Sequence, residues 1–332
     1  MSERVLAIVF TPLQYINARS YIINNNCEAN SKVLIFASDS KNVKSILEIV
    51  EENSIIPFKR IAYLPIRINW ILKALYLRLI FNSENYDSIL IGNFNNIFAY
   101  YLGYKFSEKR KKITLVDDGF ATINVYKKRN IDGNYGFGFR KSILDKIIYK
   151  ILRLKKTNEI PRMNFYTHFS LPNNLIDHVL PAQKNSFYND ELIIPEKNIC
   201  FFIGAPVVEL DFISFDKFKS FINEIKTFYS KKGIEIIYVL HRLENEKEID
   251  LKQQRFRKPI EIVFGNEINF LPSHVISFFS TALFTLYQIY PSINICYYDI
   301  SKNIGNKTKK ENVLMIYEYL SSLTSINKFT NT

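Results

Sequence analysis

The feature that most constrains the fold of this chain is a repeated alternation of short apolar runs with segments of helical periodicity. In the first half, the runs VLAIVF, KVLIFAS, SILIGN and KITLVDDG alternate with segments in which apolar residues recur every three or four positions. Strands that are covered by helices on both faces carry continuous apolar runs, and parallel strands need helical crossovers. The alternation therefore predicts βαβ units and a parallel sheet.

A second series of the same kind begins near Asn198, with NICFFIG, a long helical segment, IEIIYVLHR, PIEIVFG, HVISFFS and INICYYDI. Between the two series, Leu171 to Lys197 contains three prolines and little periodicity, which is typical of a connector. We predict an α/β fold with two domains, residues 1–175 and 176–332. The segment ENVLMIYEYLSSLTSI predicts a terminal helix, which either stays with the second domain or packs back on the first.

Composition narrows the class of protein. The 332 residues are 47% hydrophobic and 23% charged, which indicates a globular chain. The 44 Lys and Arg against 32 Asp and Glu give a charge of +12, which suits a nucleotide, a nucleic acid or an acidic membrane surface. The first apolar run is too short for a signal peptide, and three dispersed cysteines without a CxxC spacing favour free thiols. We therefore expect a cytoplasmic protein.

Polar residues at strand ends form the candidate site, because open parallel sheets bind ligands at the carboxyl ends of their strands. The first motif is Asp117-Asp118-Gly119, which follows KITLV. Side chains alternate along a strand, so the two carboxylates point in opposite directions, and one can act as a general base while the other anchors the turn. Gly119 allows a sharp bend. The alternative is a solvated turn that only closes a strand.

The second domain contributes three further motifs. His241-Arg242 follows an apolar strand and either holds a phosphate or begins a charged surface loop. Ser280-Thr281 precedes a helical segment and either caps that helix or binds a phosphate. Glu261 is a candidate for ribose hydroxyls. We expect the remaining histidines to be structural: His168, His178 and His274.

The order of these motifs resembles that of the bacterial sialyltransferases. A D/E-D/E-G motif, then a histidine, a glutamate and a Ser-Ser/Thr pair are similar to the lipooligosaccharide sialyltransferase family (glycosyltransferase family 52) and to related capsule and O-antigen sialyltransferases. VFTPLQYINA, IGNFNN and FFIGAP also resemble that family, and the likeness covers most of the chain. It implies a GT-B architecture of two Rossmann-like domains facing each other across a cleft. The first domain would bind the acceptor and the second CMP-sialic acid.

The resemblance also implies an activity and a set of residues. The activity is inverting transfer of sialic acid to a galactose-terminated, lipid-linked surface glycan, with no metal or other cofactor. The implied catalytic residues are Asp118 as the base, His241 on the CMP phosphate, and Asp117, which we expect to be the more structural of the two acids. The other implied residues are Arg242, Glu261, Ser280, Thr281 and Gly204 on the donor side, and Thr11, Gln14, Asn93 and Gly119 on the acceptor side.

One departure from the family pattern is Arg242, which stands where the family's histidine is normally followed by proline. Proline fixes the turn that aims the histidine, so its replacement bears on the geometry of His241. Alternative functions are transfer of another CMP-activated acid sugar, polysialyl transfer and, in a different class, nucleic-acid binding. We expect no nucleic-acid partner, because the aromatic residues lie within apolar patterns and are not interleaved with basic residues. A homodimer is compatible with the sequence.

The segment from Phe139 to Lys156 carries seven Lys or Arg and one Asp, and its isoleucines and leucines share a helical face. A basic amphipathic helix either lies on an anionic membrane or packs on the core with a solvated basic face. Because the acceptors of the family it resembles are lipid-linked, we expect peripheral attachment to the inner face of the cytoplasmic membrane. INWILKALYLRLIF is too short and too charged to span a bilayer.

Overall fold

The computed structural model describes residues 3–36, 40–53, 58–60, 66–79, 81, 83–136, 142–155, 157–173, 176–182, 196–264 and 267–330. The chain divides into two compact units, Met1–Ser186 and Phe187–Thr332. Each unit has a parallel sheet of its own with helices between successive strands. The predicted boundary residue, 175, lies outside the described residues.

The first unit contains a seven-stranded parallel sheet in the order β3-β2-β1-β4-β5-β6-β7. Its elements are β1 Val5–Val9, α1 Pro12–Asn24, β2 Lys32–Ile35, α2 Ser40–Asn53, β3 Phe58–Arg60, α3 Ile66–Leu79, β4 Ser88–Ile91, α4 Ile97–Glu108, β5 Lys112–Val116, α5 Phe120–Asn130, α6 Ile143–Leu152, β6 Asn164–Thr167 and β7 His178–Pro181. The strand order reverses between β1 and β4, where sheets of this topology bind ligands.

The second unit contains a six-stranded parallel sheet in the order β10-β9-β8-β11-β12-β13. Its elements are β8 Glu196–Ile203, α7 Phe215–Lys231, β9 Glu235–Val239, β10 Lys252–Gln254, β11 Leu271–Ser277, α8 Ala282–Ile289, β12 Asn294–Tyr297, α9 Lys307–Ser321 and β13 Ile326–Lys328. Here the order reverses between β8 and β11. The predicted α/β fold with two Rossmann-like sheets is confirmed.

Continuous burial of the inner strands explains why the sequence pattern was informative. Every residue of β1 and of β4 is buried, as expected for strands with helices on both faces. In the second unit the core is aromatic: the rings of Phe202 and Tyr238 stack at 5.2 Å, and Phe278 meets Phe202 edge-on at 5.0 Å. These packed layers hold the strand ends in fixed positions.

Five strands were not predicted, and each has only three or four residues: β3, β6, β7, β10 and β13. Because β7 pairs with β6, the first unit extends into the expected connector, past two of its three prolines. The run PIEIVFG forms a single 3-10 turn, Ile260–Ile262, and not a strand. The terminal helix α9 packs in the second unit, where the Tyr317 hydroxyl donates to the Tyr298 carbonyl at 3.0 Å.

Candidate functional site

Gly204 follows β8 at the reversal point of the second sheet. Its N–H donates to the Val239 carbonyl at 2.8 Å. A Cβ at this position would lie 2.1 Å from Oε2 of Glu244 and 2.8 Å from the Val239 oxygen. The lack of a side chain at Gly204 therefore lets the chain that leaves β8 approach the loop that follows β9.

His241 begins that loop, and hydrogen bonds fix the turn that follows it. The Glu244 N–H donates to the His241 carbonyl at 2.9 Å, and Oε2 of Glu244 accepts from the His241 N–H at 2.8 Å. The Leu243 N–H donates to Nδ1 of His241 at 3.2 Å, so in the neutral ring Nε2 carries the proton. These bonds fix the turn, which is the role that the resemblance assigned to a proline after the histidine. Arg242, which stands in place of that proline, is exposed.

The environment of His241 keeps its imidazole neutral at pH 7. Burial, together with the nearby charge of Arg242, lowers the pKa of His241 to about 4. The carboxylate of Glu209 opposes this shift. His241 therefore offers a neutral Nε2–H donor, which suits a phosphate oxygen.

Glu244 is fully buried and joins His241 to the rest of the unit. Its Oε1 accepts from the Tyr238 hydroxyl at 2.8 Å and from Nζ of Lys247 at 2.7 Å. The same Nζ donates to Oε1 of Glu209 at 2.7 Å. Burial raises the pKa of Glu244, and these hydrogen bonds oppose the rise. The sequence did not indicate this cluster, since LENEKE has the composition of a solvated loop; the one available signal was its position after a strand-end histidine.

Ser280 and Thr281 lie between β11 and α8, at the other side of the reversal point. Oγ of Ser280 accepts from the Ala282 N–H at 3.2 Å, and Thr281 occupies the cap position of α8 in helical conformation. Glu261 is buried on the 3-10 turn that packs against α8, and its Oε1 accepts from the Thr285 hydroxyl at 2.8 Å. Burial raises the pKa of Glu261. Hydroxyls, helix amides and a carboxylate thus meet at the start of one helix.

In the first unit, Asp117 is a buried anchor between two strands. Its Oδ1 accepts from the Thr167 hydroxyl at 2.5 Å and its Oδ2 from the His168 N–H at 2.7 Å. Its carbonyl accepts from Nδ2 of Asn17 at 3.2 Å. Burial raises the pKa of Asp117 to about 7, and the bonds from Thr167 and His168 oppose the rise. His168 follows β6 directly, a strand-end position that was missed because β6 was not predicted.

Asp118 and Gly119 form the entry to α5. Asp118 is half-buried, and its N–H donates to the Thr122 hydroxyl at 3.0 Å. Gly119 has φ 65° and ψ −148°, a conformation that a residue with a side chain adopts only with strain. The two aspartates of the motif therefore differ in burial as strand alternation predicts, with the side chain of Asp117 inside and that of Asp118 nearer the surface.

The other predicted site residues of the first unit, Thr11, Gln14 and Asn93, lie just past the ends of β1 and β4. Gln14 is 0% exposed, and its Oε1 accepts from the Phe10 N–H at 2.8 Å. Thr11 caps α1 by accepting from the Gln14 N–H at 3.4 Å, and Oδ1 of Asn93 accepts from the Asn95 N–H at 2.9 Å. Gln14 braces the end of β1, whereas Thr11 and Asn93 remain partly exposed at the sheet edge.

The described part of the chain holds no group of three or more His, Cys, Asp or Glu side chains arranged to bind a metal ion. Nor does it contain a helix with the length and apolar character needed to cross a membrane.

No family model matches the sequence, and no curated protein matches it. Solved structures do. The Methanocaldococcus jannaschii UDP-GlcNAc 2-epimerase, in complex with UDP-GlcNAc and UDP, is 8% identical with a TM-score of 0.51 over 99% of this chain and 89% of that one. Staphylococcus aureus MnaA with UDP is 11% identical with a TM-score of 0.50 over 97% and 88%. At such identities the likeness shows the fold, and the GT-B architecture is confirmed.

The comparisons correct the resemblance to the lipooligosaccharide sialyltransferases. The solved structures that this chain resembles bind UDP and UDP-GlcNAc, and not CMP-sialic acid. The predicted family, the sialic acid transfer, the CMP-sialic acid donor and the galactose-terminated acceptor are therefore wrong. The physical reason is that such motifs lie at strand ends, where any Rossmann-like sheet can bind a ligand, and the same fold serves many different functions. Short motifs of this kind identify strand ends and not the base or sugar that is bound.

Proposed function

We propose that the chain is an enzyme that acts on a UDP-activated N-acetylhexosamine and binds the UDP group through its second unit. The observation that carries the proposal is the convergence of ligand-type groups at the carboxyl edge of one sheet. Gly204 follows β8, His241 follows β9, and the Ser280-Thr281 turn follows β11. The UDP complexes of the structural neighbours support this nucleotide.

The chemistry of these groups suits a nucleoside diphosphate. The hydroxyls of Ser280 and Thr281 and the neutral Nε2–H of His241 are donors for phosphate oxygens. Glu261 accepts hydroxyl hydrogen bonds, as its bond from Thr285 demonstrates, and ribose hydroxyls have the same chemistry. Neutral donors stabilise the charge that develops on a departing diphosphate.

The reaction proposed is inversion at C2 of the sugar, the carbon that bears the N-acetyl group. Its proton is not acidic, so its removal is coupled to departure of the diphosphate from C1. The C2–H electron pair forms the C1=C2 double bond, and the C1–O pair leaves with UDP. Return of UDP to C1 and of a proton to the opposite face of C2 completes the inversion.

We further propose Asp118 as a proton-transfer group. Asp117 is committed to Thr167 and His168, whereas Asp118 is half-buried at the end of β5. We expect Asp118→Asn to lower turnover by about 10²–10⁴-fold with unchanged affinity for UDP. Asp132→Asn, which changes an exposed carboxylate just after α5, is the matched control. Full activity in Asp118→Asn would exclude this role.

Two measurements test the proposed function. Calorimetric titration with UDP and CMP gives the base preference, and binding of CMP in place of UDP would refute the choice of nucleotide. Incubation with UDP-GlcNAc in D₂O, followed by proton NMR, distinguishes the reactions. Epimerisation exchanges the C2 hydrogen for deuterium and produces the C2 epimer, while net release of UDP without C2 exchange would indicate transfer or hydrolysis.

Peripheral attachment to an anionic membrane is proposed for the helix α6. It buries Ile148 and Leu152, while Ile143 is 78% exposed and Ile147 is 42% exposed. The same exposed face carries Lys146 and Lys150. An exposed apolar and basic face suits an anionic bilayer. Flotation with phosphatidylserine vesicles tests this, and equal flotation of an Ile143→Glu, Ile147→Glu variant would exclude it. Lys156, at the end of the predicted segment, lies outside the described residues.

A further inference from the structure

An ion cluster joins the loop after β8 to the loop after β9, and its lysine and one of its two carboxylates are buried. Nζ of Lys247 lies 2.7 Å from Glu209 on the first loop and 2.7 Å from Glu244 on the second. The Lys247 side chain is 6% exposed, and that of Glu244 is fully buried. Removing such charges from water costs free energy, and well-packed apolar residues often replace buried ion pairs without loss of stability. Stability alone therefore does not account for the cluster.

Glu244 contacts both backbone segments that enter the candidate diphosphate site. Its Oε2 accepts from the His241 N–H at 2.8 Å, and the same oxygen occupies the space that a side chain at Gly204 would fill. Its Oε1 is held between the Tyr238 hydroxyl and Lys247. The position of this carboxylate thus determines where the chain leaves β8 and where it leaves β9.

The turn from His241 to Glu244 is also held from its outer side. Nη1 of Arg255 donates to the His241 carbonyl at 3.2 Å, and Nη2 donates to the Glu244 carbonyl at 2.6 Å. The Leu243 N–H donates a hydrogen bond to Nδ1 of the His241 ring. A turn held at these points orients the imidazole and presents Nε2 to whatever lies at the sheet edge.

We propose that Glu244 and Lys247 are positioning residues for His241: the Glu209–Lys247–Glu244 cluster locks the loops after β8 and β9 together and fixes the ring tautomer that donates to the diphosphate. The proposal rests on the proposed function for its ligand, while the tautomer is a property of the unliganded chain. Neither residue is assigned a contact with substrate.

The test compares Lys247→Met, which removes the charge and keeps the stem, with Lys247→Arg, which keeps both bonding and charge. In the wild type, ¹⁵N NMR of the His241 ring is expected to show the Nε2–H tautomer alone. Lys247→Met is expected to give a mixture of tautomers and about a tenfold loss of affinity for UDP, because a displaced donor binds poorly. Lys247→Arg is expected to restore both.

Two control variants separate positioning from loss of stability. Lys226→Met removes a surface lysine that pairs with Asp250 in the same unit. Ile222→Ala is expected to lower the melting temperature by leaving a cavity on the buried side of α7. Neither is expected to change the tautomer or the affinity. An Ile222→Ala variant that changed both as much as Lys247→Met would overturn the inference.

The outcomes also distinguish this inference from the proposed function. If UDP does not bind to the wild type but Lys247→Met mixes the tautomers, the proposed function fails and the positioning role stands. If UDP binds and Lys247→Met keeps the wild-type tautomer and affinity, the positioning role is wrong and the proposed function stands.

Discussion

Asp117 in the first unit and His241 in the second both lie just past the end of an inner parallel strand, β5 and β9 respectively. Burial shifts both pKa values toward the neutral form, raising that of Asp117 to about 7 and lowering that of His241 to about 4. They differ in their bonds. Both carboxylate oxygens of Asp117 accept hydrogen bonds, from Thr167 in β6 and from His168 after it. On the His241 ring, Nδ1 accepts a hydrogen bond from its own loop. Position at a strand end is thus not sufficient for a role in binding.

The same contrast holds for the buried ion pairs of the two units. Arg129 on α5 and Asp177 before β7 are both fully buried and form two hydrogen bonds of 2.7 Å. Arg129 also donates to the Ile160 carbonyl at 2.9 Å. This pair fastens α5 to the loops beside β6 and β7, whereas the Lys247 cluster joins two loops that flank a candidate site. Similar chemistry supports packing in one unit and orientation in the other.

The largest effect is expected from Arg129→Met, which leaves the Asp177 carboxylate buried without its cation. We expect a loss of about 3–5 kcal/mol in the free energy of unfolding of the first unit. The single tryptophan, Trp70, lies in that unit, so its fluorescence during urea denaturation reports the change. Arg4→Met breaks the exposed pair with Asp87 and should cost far less. Equal losses would contradict the contrast between the pairs.

The next largest effect is expected from Gly204→Ala. The new methyl group would meet Oε2 of Glu244 and the Val239 carbonyl, and the carbonyl belongs to a buried strand that cannot move away. We expect a loss of about 1–3 kcal/mol in the second unit, together with weaker UDP binding. Gly305→Ala is the matched control, since a Cβ there has nothing within 4 Å. Hydrogen exchange of β8 and β9 amides measures the loss, and an unperturbed Gly204→Ala would mean that the loop approach is looser than described.

The opposite pKa shifts predict opposite pH dependences. The folded chain binds fewer protons at His241 than the unfolded chain does. The free energy of unfolding therefore falls as the pH falls from about 6.5 to 4. At Asp117 the folded chain binds more, so stability falls as pH rises from about 4 to 7. Each slope is at most about 1.4 kcal/mol per pH unit. Between pH 4 and 6.5, Asp117→Asn should leave a rising stability profile and His241→Gln a falling one. Identical profiles in the two variants would refute the assignments.

The smallest effect is expected from Ser280→Ala, which removes the acceptor for the Ala282 N–H at the start of α8. We expect about 1 kcal/mol or less in stability, with a clear loss of UDP affinity. Ser214→Ala removes a comparable cap from α7, whose acceptor bond is 3.4 Å, and should leave UDP affinity unchanged. Unchanged UDP affinity in Ser280→Ala would show that Ser280 acts only as a cap, and an equal loss in both variants would show that the effect is not specific to this site.

Several features of the fold were predictable because they depend on local physics. Continuous apolar runs mark strands covered on both faces, so β1, β2, β4, β5, β8, β9, β11 and β12 were visible in the sequence, together with most of the helices but not α5. The unpredicted strands β3, β10 and β13 have only three residues, and β6 and β7 lack the continuous apolar run of the equally short β2 and β4. The 3-10 turn that carries Glu261 follows Pro259, and its apolar composition was mistaken for a strand.

The candidate site was predictable only as a set of positions. The sequence placed Gly204, His241 and Ser280 at strand ends, and the sheet order brings those ends to one edge. The partner of each side chain was not predictable, because partners such as Asp117 and Thr167 are 50 positions apart. Nor did the motifs identify the nucleotide, because the order that suggested CMP-sialic acid marks strand ends, which bind different ligands in different proteins of this fold.

By itself, the sequence determined the architecture of this protein: periodicity and apolar runs act over a few residues, and two α/β series permit few arrangements. The tertiary structure alone decided which strand-end residues are braces and which remain candidates for binding. That decision depends on desolvation and on hydrogen bonds between distant residues, both of which arise only when the chain has folded. It made Asp117 a buried anchor, and it placed Glu244 and Lys247, unremarkable in the sequence, beneath His241.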